Sequence, residues 1–141
     1  MSGKIKFVVS GRKLLFEQTL WLALEGPKPE EGYGCNGCSF SPDRWWLHKV
    51  WVPVVLACIV HDNHYDTHKP LGAGWRARQK ADAILYRNLK KIIWYHGGTI
   101  GQAERIAWLY WGRCRLWGGK AWRGDAPGFF RRLWNVWRPD S

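Results

Sequence analysis

The longest apolar run of the chain, Val50 to Val60, ends directly in the polar pair His61-Asp62. A membrane-spanning helix needs about 20 apolar residues, so this run is too short to cross a bilayer. It predicts a buried helix from about Trp46 to Asp66, in which Pro53 is tolerated only within the first turn. A polar pair that closes such a helix is costly unless it is hydrogen-bonded or liganded. The pair is therefore either an ordinary solvated helix end or part of a functional site.

A second helix, predicted from about Arg76 to Tyr95, carries Asp82 among apolar positions, where an unpaired carboxylate is seldom buried. On the first helix, His61 and Tyr65 share one face, and Asp62 is turned by about 100°. If the two helices pack antiparallel, Asp82 can meet the His61 ring. It would then fix the tautomer and leave the other nitrogen as a base. The alternative is an exposed Asp82 on the solvent face.

The remaining elements predict a mainly α protein of the α+β class. The β-rich segment Lys4 to Val9, a turn signal after it and the partly alternating pattern Leu14 to Leu24 indicate a hairpin or two short strands. A third helix begins at Thr99, which forms a capping-box pattern with Gln102, and is predicted to end near Gly112.

The balance of charge favours an anionic partner. Among 141 residues, 22 Lys and Arg face 11 Asp and Glu, for a net charge of +11, and there are 12 tryptophans. Residues 113–141 are basic and Trp-rich, so we predict a domain over residues 1–112 and an extension that packs on it or on a partner. Nucleic acid, an anionic membrane surface and another protein are all partners that a surface rich in Arg and Trp can bind.

The N-terminus lacks the apolar core of a signal peptide, which predicts a soluble protein.

The loop from Tyr33 to Asp43 is a candidate metal site. Glycines let its backbone carbonyls converge, Asn36 adds a side-chain oxygen, and Asp62 opposite would complete an oxygen environment suited to Ca²⁺. The alternatives are an ordinary turn or a zinc site, for which the spacing of two cysteines is right but the ligand set incomplete. The zinc ligands would be Cys35 and Cys38 with His61, His64 or His68. Cys114, far along the chain among arginines, is predicted to be a buried or free thiol.

Three separated motifs together resemble the phospholipase A2 superfamily, and most closely its small bacterial and fungal secreted enzymes. They are the loop Tyr33-Gly-Cys-Asn-Gly-Cys-Ser-Phe-Ser-Pro-Asp43, the string Ala57-Cys-Ile-Val-His-Asp-Asn-His-Tyr65 and the segment Asp82-Ala-Ile-Leu-Tyr86. The later stretch from Ala107 to Trp122 resembles a phage- and prophage-encoded family of unknown function. The resemblance implies a pair of antiparallel helices that carry the site, beside a third helix and the N-terminal hairpin.

The same resemblance implies a role for each matched residue. His61 would be the general base that activates a water against the sn-2 ester of a phospholipid. Asp82 would orient its imidazole, and Tyr65 would hold that carboxylate. The resemblance also implies Ca²⁺ as the cofactor, a phospholipid membrane surface as the partner, and a place in a phage virion that acts on the host envelope.

The implied Ca²⁺ ligands are Asp62, Asn36 and the carbonyl of Gly37, and Cys38 and Cys58 match a disulfide pair of the secreted relatives. Those relatives have Asp where this chain has Asn36, and the loss of one carboxylate weakens a Ca²⁺ site. The alternative is therefore an inactive structural or assembly protein of a phage particle. It would dock on other phage proteins through its basic extension, and nucleic acid is the less favoured partner.

Overall fold

The computed structural model describes residues 3–35, 37–38, 42–47, 49–68 and 75–123, without the side chains of residues 68, 75 and 117–123. Over these residues the chain forms two small sheets and four helices, and the predicted α+β class is confirmed. The strands are β1 (Lys4–Val9), β2 (Arg12–Glu17), β3 (Gly34–Cys35), β4 (Trp45–Leu47) and β5 (Val50–Val52). The helices are α1 (Gln18–Ala23), α2 (Val55–His68), α3 (Trp75–Tyr95) and α4 (Ile100–Arg123).

The N-terminal sheet has the strand order β2-β1-β3, with β1 antiparallel to β2 and parallel to β3. Ser10 and Gly11 both have positive φ values, 49° and 80°, as a tight two-residue hairpin turn requires. The predicted hairpin is thus confirmed, but its second strand ends at Glu17 rather than continuing to Leu24. The next residues form α1, because helical spacing brings Leu20, Trp21 and Leu24 into the core.

The hairpin of β4 and β5 replaces the start of the helix predicted from Trp46. That part of the prediction is wrong, since α2 begins only at Val55. Aromatic and β-branched residues fill both strands, and such residues favour an extended backbone. Pro53 also disfavours helical geometry in the residue before it. The hairpin turns Trp45, Leu47 and Val52 towards the core and lies directly before the helix that carries His61.

Helix α3 matches its prediction, whereas α4 continues past the predicted end at Gly112 to Arg123. The capping box at its start is formed: the Thr99 amide donates to Gln102 Oε1 at 2.9 Å, and the Gln102 amide donates to Thr99 Oγ1 at 3.2 Å. A glycine inside a helix costs only about 1 kcal/mol, and buried contacts of Tyr110 and Arg115 on either side of Gly112 offset this cost. Residues 113–123 of the predicted extension belong to α4, and residues 124–141 lie outside the described residues.

One hydrophobic core joins the N-terminal sheet to α2, α3 and α4. Helix α2 contributes Leu56 and Ile59, and α3 contributes Leu85 and Leu89, all of which are fully buried. Within the described segments, every helix is too short or too polar to cross a membrane. The packing of α2 against α3 brings the polar residues of the two helices together inside the protein.

Candidate functional site

His61 and Tyr65 of α2 both contact the carboxylate of Asp82 on α3. His61 Nε2 lies 2.7 Å from Asp82 Oδ1, and the Tyr65 hydroxyl donates to the same oxygen at 2.6 Å. Asp82 is completely buried, with 0% of its surface exposed. The contact anticipated between Asp82 and the His61 ring is therefore present, and the alternative of a solvent-exposed Asp82 is wrong.

The second carboxylate oxygen of Asp82 faces two arginines. Arg115 Nη1 donates to Asp82 Oδ2 at 2.8 Å, and Arg78 Nε lies 4.0 Å from that oxygen. Arg78 Nη2 also donates to the backbone carbonyls of Cys114 and Arg115, at 2.9 and 3.1 Å. Both guanidinium groups are buried, so they fix the position of Asp82 between α3 and α4.

Sequence reasoning missed both arginines. Arg115 belongs to the stretch predicted to pack on the domain or on a partner, and the structure places it inside the protein. The sequence nevertheless contained a pattern that pointed to each arginine. Arg78 precedes Asp82 by four residues on α3, the spacing at which opposite charges meet on a helix. On α4, the buried positions Ala103, Ala107 and Tyr110 follow a helical pattern, which leads on to Arg115 if the helix is continued past Gly112.

The hydrogen bonds and charges around Asp82 keep it ionised. Burial alone would raise the pKa of Asp82, but bonds from His61 and Tyr65 and the charge of Arg78 lower it. Burial together with the negative charge of Asp82 raises the pKa of Tyr65, so its hydroxyl remains a donor. An ionised carboxylate only accepts hydrogen bonds, so His61 Nε2 carries the proton in this pair. That tautomer leaves Nδ1 of His61 as the nitrogen able to accept a proton.

The Cys114 thiol belongs to the same cluster, although the sequence suggested no role for it. Its Sγ, a His61 ring nitrogen and an Asp82 carboxylate oxygen all lie within 4.8 Å of one another. Burial lowers the pKa of His61, but the neighbouring Cys114 and the Asp82 carboxylate outweigh burial and raise it well above its usual value. The cluster therefore stabilises the protonated imidazole.

A metal ion fits this cluster poorly. Ca²⁺ takes six or more oxygen ligands, whereas here one nitrogen and one sulfur accompany a single carboxylate. Both oxygens of Asp82 already accept hydrogen bonds, from His61 and Tyr65 on one side and from Arg115 on the other. The adjacent guanidinium groups would also repel a cation. The arrangement suits a hydrogen-bonded general base rather than a metal centre.

The loop before α2 is attached to that helix by a disulfide between Cys38 and Cys58. This is the pair implied by the family resemblance, and it excludes the zinc alternative because Cys38 offers no thiolate. Asp43 Oδ1 accepts from the Cys38 amide at 2.8 Å. Gly37 has a φ of 80°, and a Cβ there would lie 2.3 Å from Asp43 Oδ1. Glycine is therefore required at this position of the loop.

Asp62 follows His61 on α2 and presents a half-buried carboxylate. Burial and the nearby charge of Asp66 raise its pKa to about 6, against the opposing effect of His61. Within the described segments Asp62 has neither a hydrogen bond nor a salt bridge, whereas Asp66 accepts from the Tyr33 hydroxyl at 2.8 Å. A carboxylate destabilised in this way would be stabilised by a nearby cation, and the role of Asp62 as a Ca²⁺ ligand stays a prediction. Asn36, the second predicted ligand, lies outside the described residues.

Comparisons with known proteins give no relative for this chain. No protein-family model, no curated protein and no solved structure matches it. The likeness to phospholipase A2 enzymes and to the phage-encoded family therefore remains a prediction from the motifs. What can be said of function depends on the geometry of the cluster around His61.

Proposed function

We propose that the protein is a phospholipase A2-like, Ca²⁺-dependent hydrolase of the sn-2 ester of phospholipids. The observation that carries the proposal is the 2.7 Å contact between His61 Nε2 and Asp82 Oδ1, with Tyr65 on the same oxygen. A buried imidazole held by a carboxylate through one nitrogen has the form of a general base. The disulfide between Cys38 and Cys58 supports the proposal, because it holds the glycine-containing loop against the helix that carries His61.

In the proposed reaction, Nδ1 of His61 removes a proton from a water molecule as the water oxygen attacks the ester carbonyl carbon. The tetrahedral intermediate then breaks its bond to the glycerol oxygen. The imidazolium returns its proton to that oxygen, and the products are a fatty acid and a lysophospholipid. Asp82 keeps the ring oriented and balances its positive charge while it holds the proton. Tyr65 and Arg115 keep Asp82 in place.

Asp62 and the carbonyl of Gly37 are the described residues that would hold Ca²⁺. Asp62 is the better supported of the two, because its half-buried carboxylate has no hydrogen bond or salt bridge within the described segments. When bound, the cation would act as a Lewis acid that stabilises negative charge on the ester oxygen. Asn36 would add an oxygen but no charge, so we expect weaker Ca²⁺ binding than with a second carboxylate.

The test is fatty-acid release from a short-chain phosphatidylcholine present as monomers, measured in CaCl₂ and in EGTA. We expect release in CaCl₂ only, and a loss of about 10²- to 10⁴-fold in His61→Ala. Asp82→Asn should lose activity similarly. His96→Ala, at a histidine that follows α3, is the matched control and should retain the wild-type rate. Equal release by wild type and His61→Ala would refute the proposed role of His61.

The alternative proposal is an inactive phospholipase A2-like assembly protein of a phage particle that docks through its basic extension. The same experiment separates the two proposals. A folded protein that releases no fatty acid at any Ca²⁺ concentration would favour the assembly protein. The network around Asp82 weighs against it, because two buried arginines and a buried carboxylate are costly features in a purely structural core.

A further inference from the structure

Two tryptophans stand side by side on the outer face of the β4–β5 hairpin. Trp46 and Trp51 are directly paired across the two strands, and their rings meet edge to face with centroids 5.1 Å apart. Each remains largely accessible, with 56% of Trp46 and 51% of Trp51 exposed. We call Trp46 and Trp51 the indole patch.

The indole patch is not explained by packing within the protein. The inner face of the hairpin already provides the core contacts through Trp45, Leu47 and Val52. In an antiparallel sheet with one face in the core, the other face is ordinarily polar. An indole combines an apolar body with an N–H donor and is favoured where an apolar phase meets water. The outer face therefore has the composition of a surface that is covered by something else.

Cations flank the indole patch. The Arg44 guanidinium lies 5.3 Å from the centre of the Trp51 ring, and the exposed Lys49 occupies the hairpin turn with a φ of 63°. The nearest acid in sequence, Asp43, directs a carboxylate oxygen to the Cys38 amide. The whole chain carries +11. Apolar rings with cations beside them complement an anionic bilayer, where tryptophan lies among the headgroups and each cation near the surface adds attraction.

The base of the hairpin is attached to the elements that form the candidate site. Trp45 Nε1 donates to the Tyr110 hydroxyl at 2.7 Å, and that hydroxyl donates to the Pro42 carbonyl. Tyr110 lies one helical turn before Cys114 on α4. On the other side, β5 leads through Pro53 into α2, the helix of His61. A surface bound to the outer face of the hairpin therefore lies close to α2 and α4, which carry residues of the candidate site.

We propose that the outer face of the β4–β5 hairpin binds an anionic phospholipid bilayer, with Trp46 and Trp51 among the headgroups and Arg44 and Lys49 on lipid phosphates. The proposal rests on the proposed function for its biological role, because membrane binding would bring the candidate site to its phospholipid substrate. The binding itself requires no catalysis. A protein or a nucleic acid could also contact indoles and cations, and these occupants are outcomes of the test.

The experiment is co-sedimentation of the full chain in EGTA with two kinds of vesicle, phosphatidylcholine alone and phosphatidylcholine mixed with phosphatidylserine. We expect binding to the anionic vesicles that weakens as salt is added. Trp46→Ser with Trp51→Ser should weaken vesicle binding at least about ten-fold, because two large apolar side chains are no longer transferred from water into the bilayer. Arg44→Gln with Lys49→Gln should weaken it as well. Trp94→Ser with Trp108→Ser is the matched control, since both tryptophans are exposed on α3 and α4. It should bind like wild type.

Equal binding by wild type and the Trp46/Trp51 variant would overturn the proposal, as would equal loss in the Trp94/Trp108 control. Binding to double-stranded DNA but not to anionic vesicles would overturn it too, in favour of a nucleic acid. If the chain binds no vesicles but binds another protein, the proposal is overturned in favour of a protein partner. Circular dichroism of each variant establishes that it is folded.

Hydrolysis separates this proposal from the proposed function. The Trp46/Trp51 variant should cleave monomeric short-chain phosphatidylcholine at the wild-type rate and lose activity only on anionic vesicles. A chain that binds vesicles but cleaves neither substrate would refute the proposed function and leave the binding surface in place. A chain that cleaves monomers but binds no vesicles would refute the binding surface and leave the proposed function in place.

Discussion

The Arg115 guanidinium of α4 lies 2.8 Å from the Asp82 carboxylate of α3, and both side chains are buried. This pair connects the last described helix to the carboxylate that holds His61. Asp82 thus has an imidazole and a phenol on one oxygen and a guanidinium on the other. The direction of the His61 ring therefore depends on the packing of all three long helices and not only on the two that carry the motifs.

Loss of the Arg115 charge should destabilise the fold. Arg115→Met leaves the Asp82 carboxylate buried without the guanidinium that binds its second oxygen, and breaking a buried ion pair costs about 3–5 kcal/mol. We expect the free energy of unfolding, measured with urea, to fall by about 3 kcal/mol. Arg115→Lys should recover part of it, since one ammonium cannot reproduce the guanidinium geometry. Arg113→Met, at the exposed neighbour, should change it by less than about 0.5 kcal/mol. Equal effects at the two positions would contradict this role of Arg115.

Tyr65→Phe tests the second donor to Asp82. The variant keeps the ring that packs 4.4 Å from the His61 ring but removes the hydroxyl. A buried carboxylate oxygen then loses one hydrogen bond, so we expect about 1–3 kcal/mol less unfolding free energy in urea. The exposed Tyr95 on α3 offers the control Tyr95→Phe, which should be nearly neutral. A stable Tyr65→Phe protein would mean that the hydroxyl does not hold Asp82.

The sequence predicted the parts of the site that depend on helical spacing. His61 and Tyr65 share a helix face by their separation alone, and the acid among apolar positions at Asp82 predicted either a buried partner or a place on the solvent face. Helix α3 was predictable from its apolar period and the start of α4 from its capping box. These features are local, so no knowledge of the tertiary structure is needed to find them.

The rest depends on contacts between distant segments. An apolar run such as Val50 to Val60 is equally compatible with a buried strand and with a buried helix. Only the local effect of Pro53 separates the strand before it from the helix after it. Charge composition cannot say which cation is buried, so it does not distinguish Arg115 from the other arginines of residues 113–141. The sequence does not place Cys114 beside His61, because the two residues lie far apart along the chain.

Activity should rise with pH as His61 loses its proton. The folded pKa of His61 lies above its usual 6.5 because the effects of the neighbouring Cys114 and Asp82 outweigh burial. The base form therefore dominates only at a pH above that raised value. By linkage, the stabilisation that His61 gives the fold is full below about pH 6.5 and is lost as pH rises through the folded pKa.

Cys114→Ala removes a neighbour that raises the pKa of His61, so the midpoint of the pH–rate profile should move to lower pH. We expect turnover within about ten-fold of wild type at high pH, because the proposed nucleophile is water and not the thiol. Complete loss of turnover in Cys114→Ala, with a covalent acyl group on Cys114 in the wild type by mass spectrometry, would instead identify the thiol as the nucleophile.

Asp62→Asn should stabilise the protein while abolishing its response to Ca²⁺. Burial and Asp66 raise the pKa of Asp62 from 3.8 to about 6, so the ionised form is less stable in the folded state than in the unfolded chain. The penalty is absent below about pH 4 and complete above about pH 6. Because Asp62 is only half-buried, we expect the variant to gain about 1–2 kcal/mol of unfolding free energy at neutral pH and nothing at pH 4.

Thermal unfolding at neutral pH with and without CaCl₂ gives the second half of this prediction. A cation that binds only the folded wild type raises its Tm as its concentration exceeds the Kd, and Asp62→Asn should show no such rise. The measurement at pH 4 serves as the internal control, since Asp62 is protonated there and wild type and variant should unfold together. A Tm increase with CaCl₂ that is the same in both proteins at neutral pH would place the Ca²⁺ site away from Asp62. A variant no more stable than wild type would show that the Asp62 carboxylate is not strained by its surroundings.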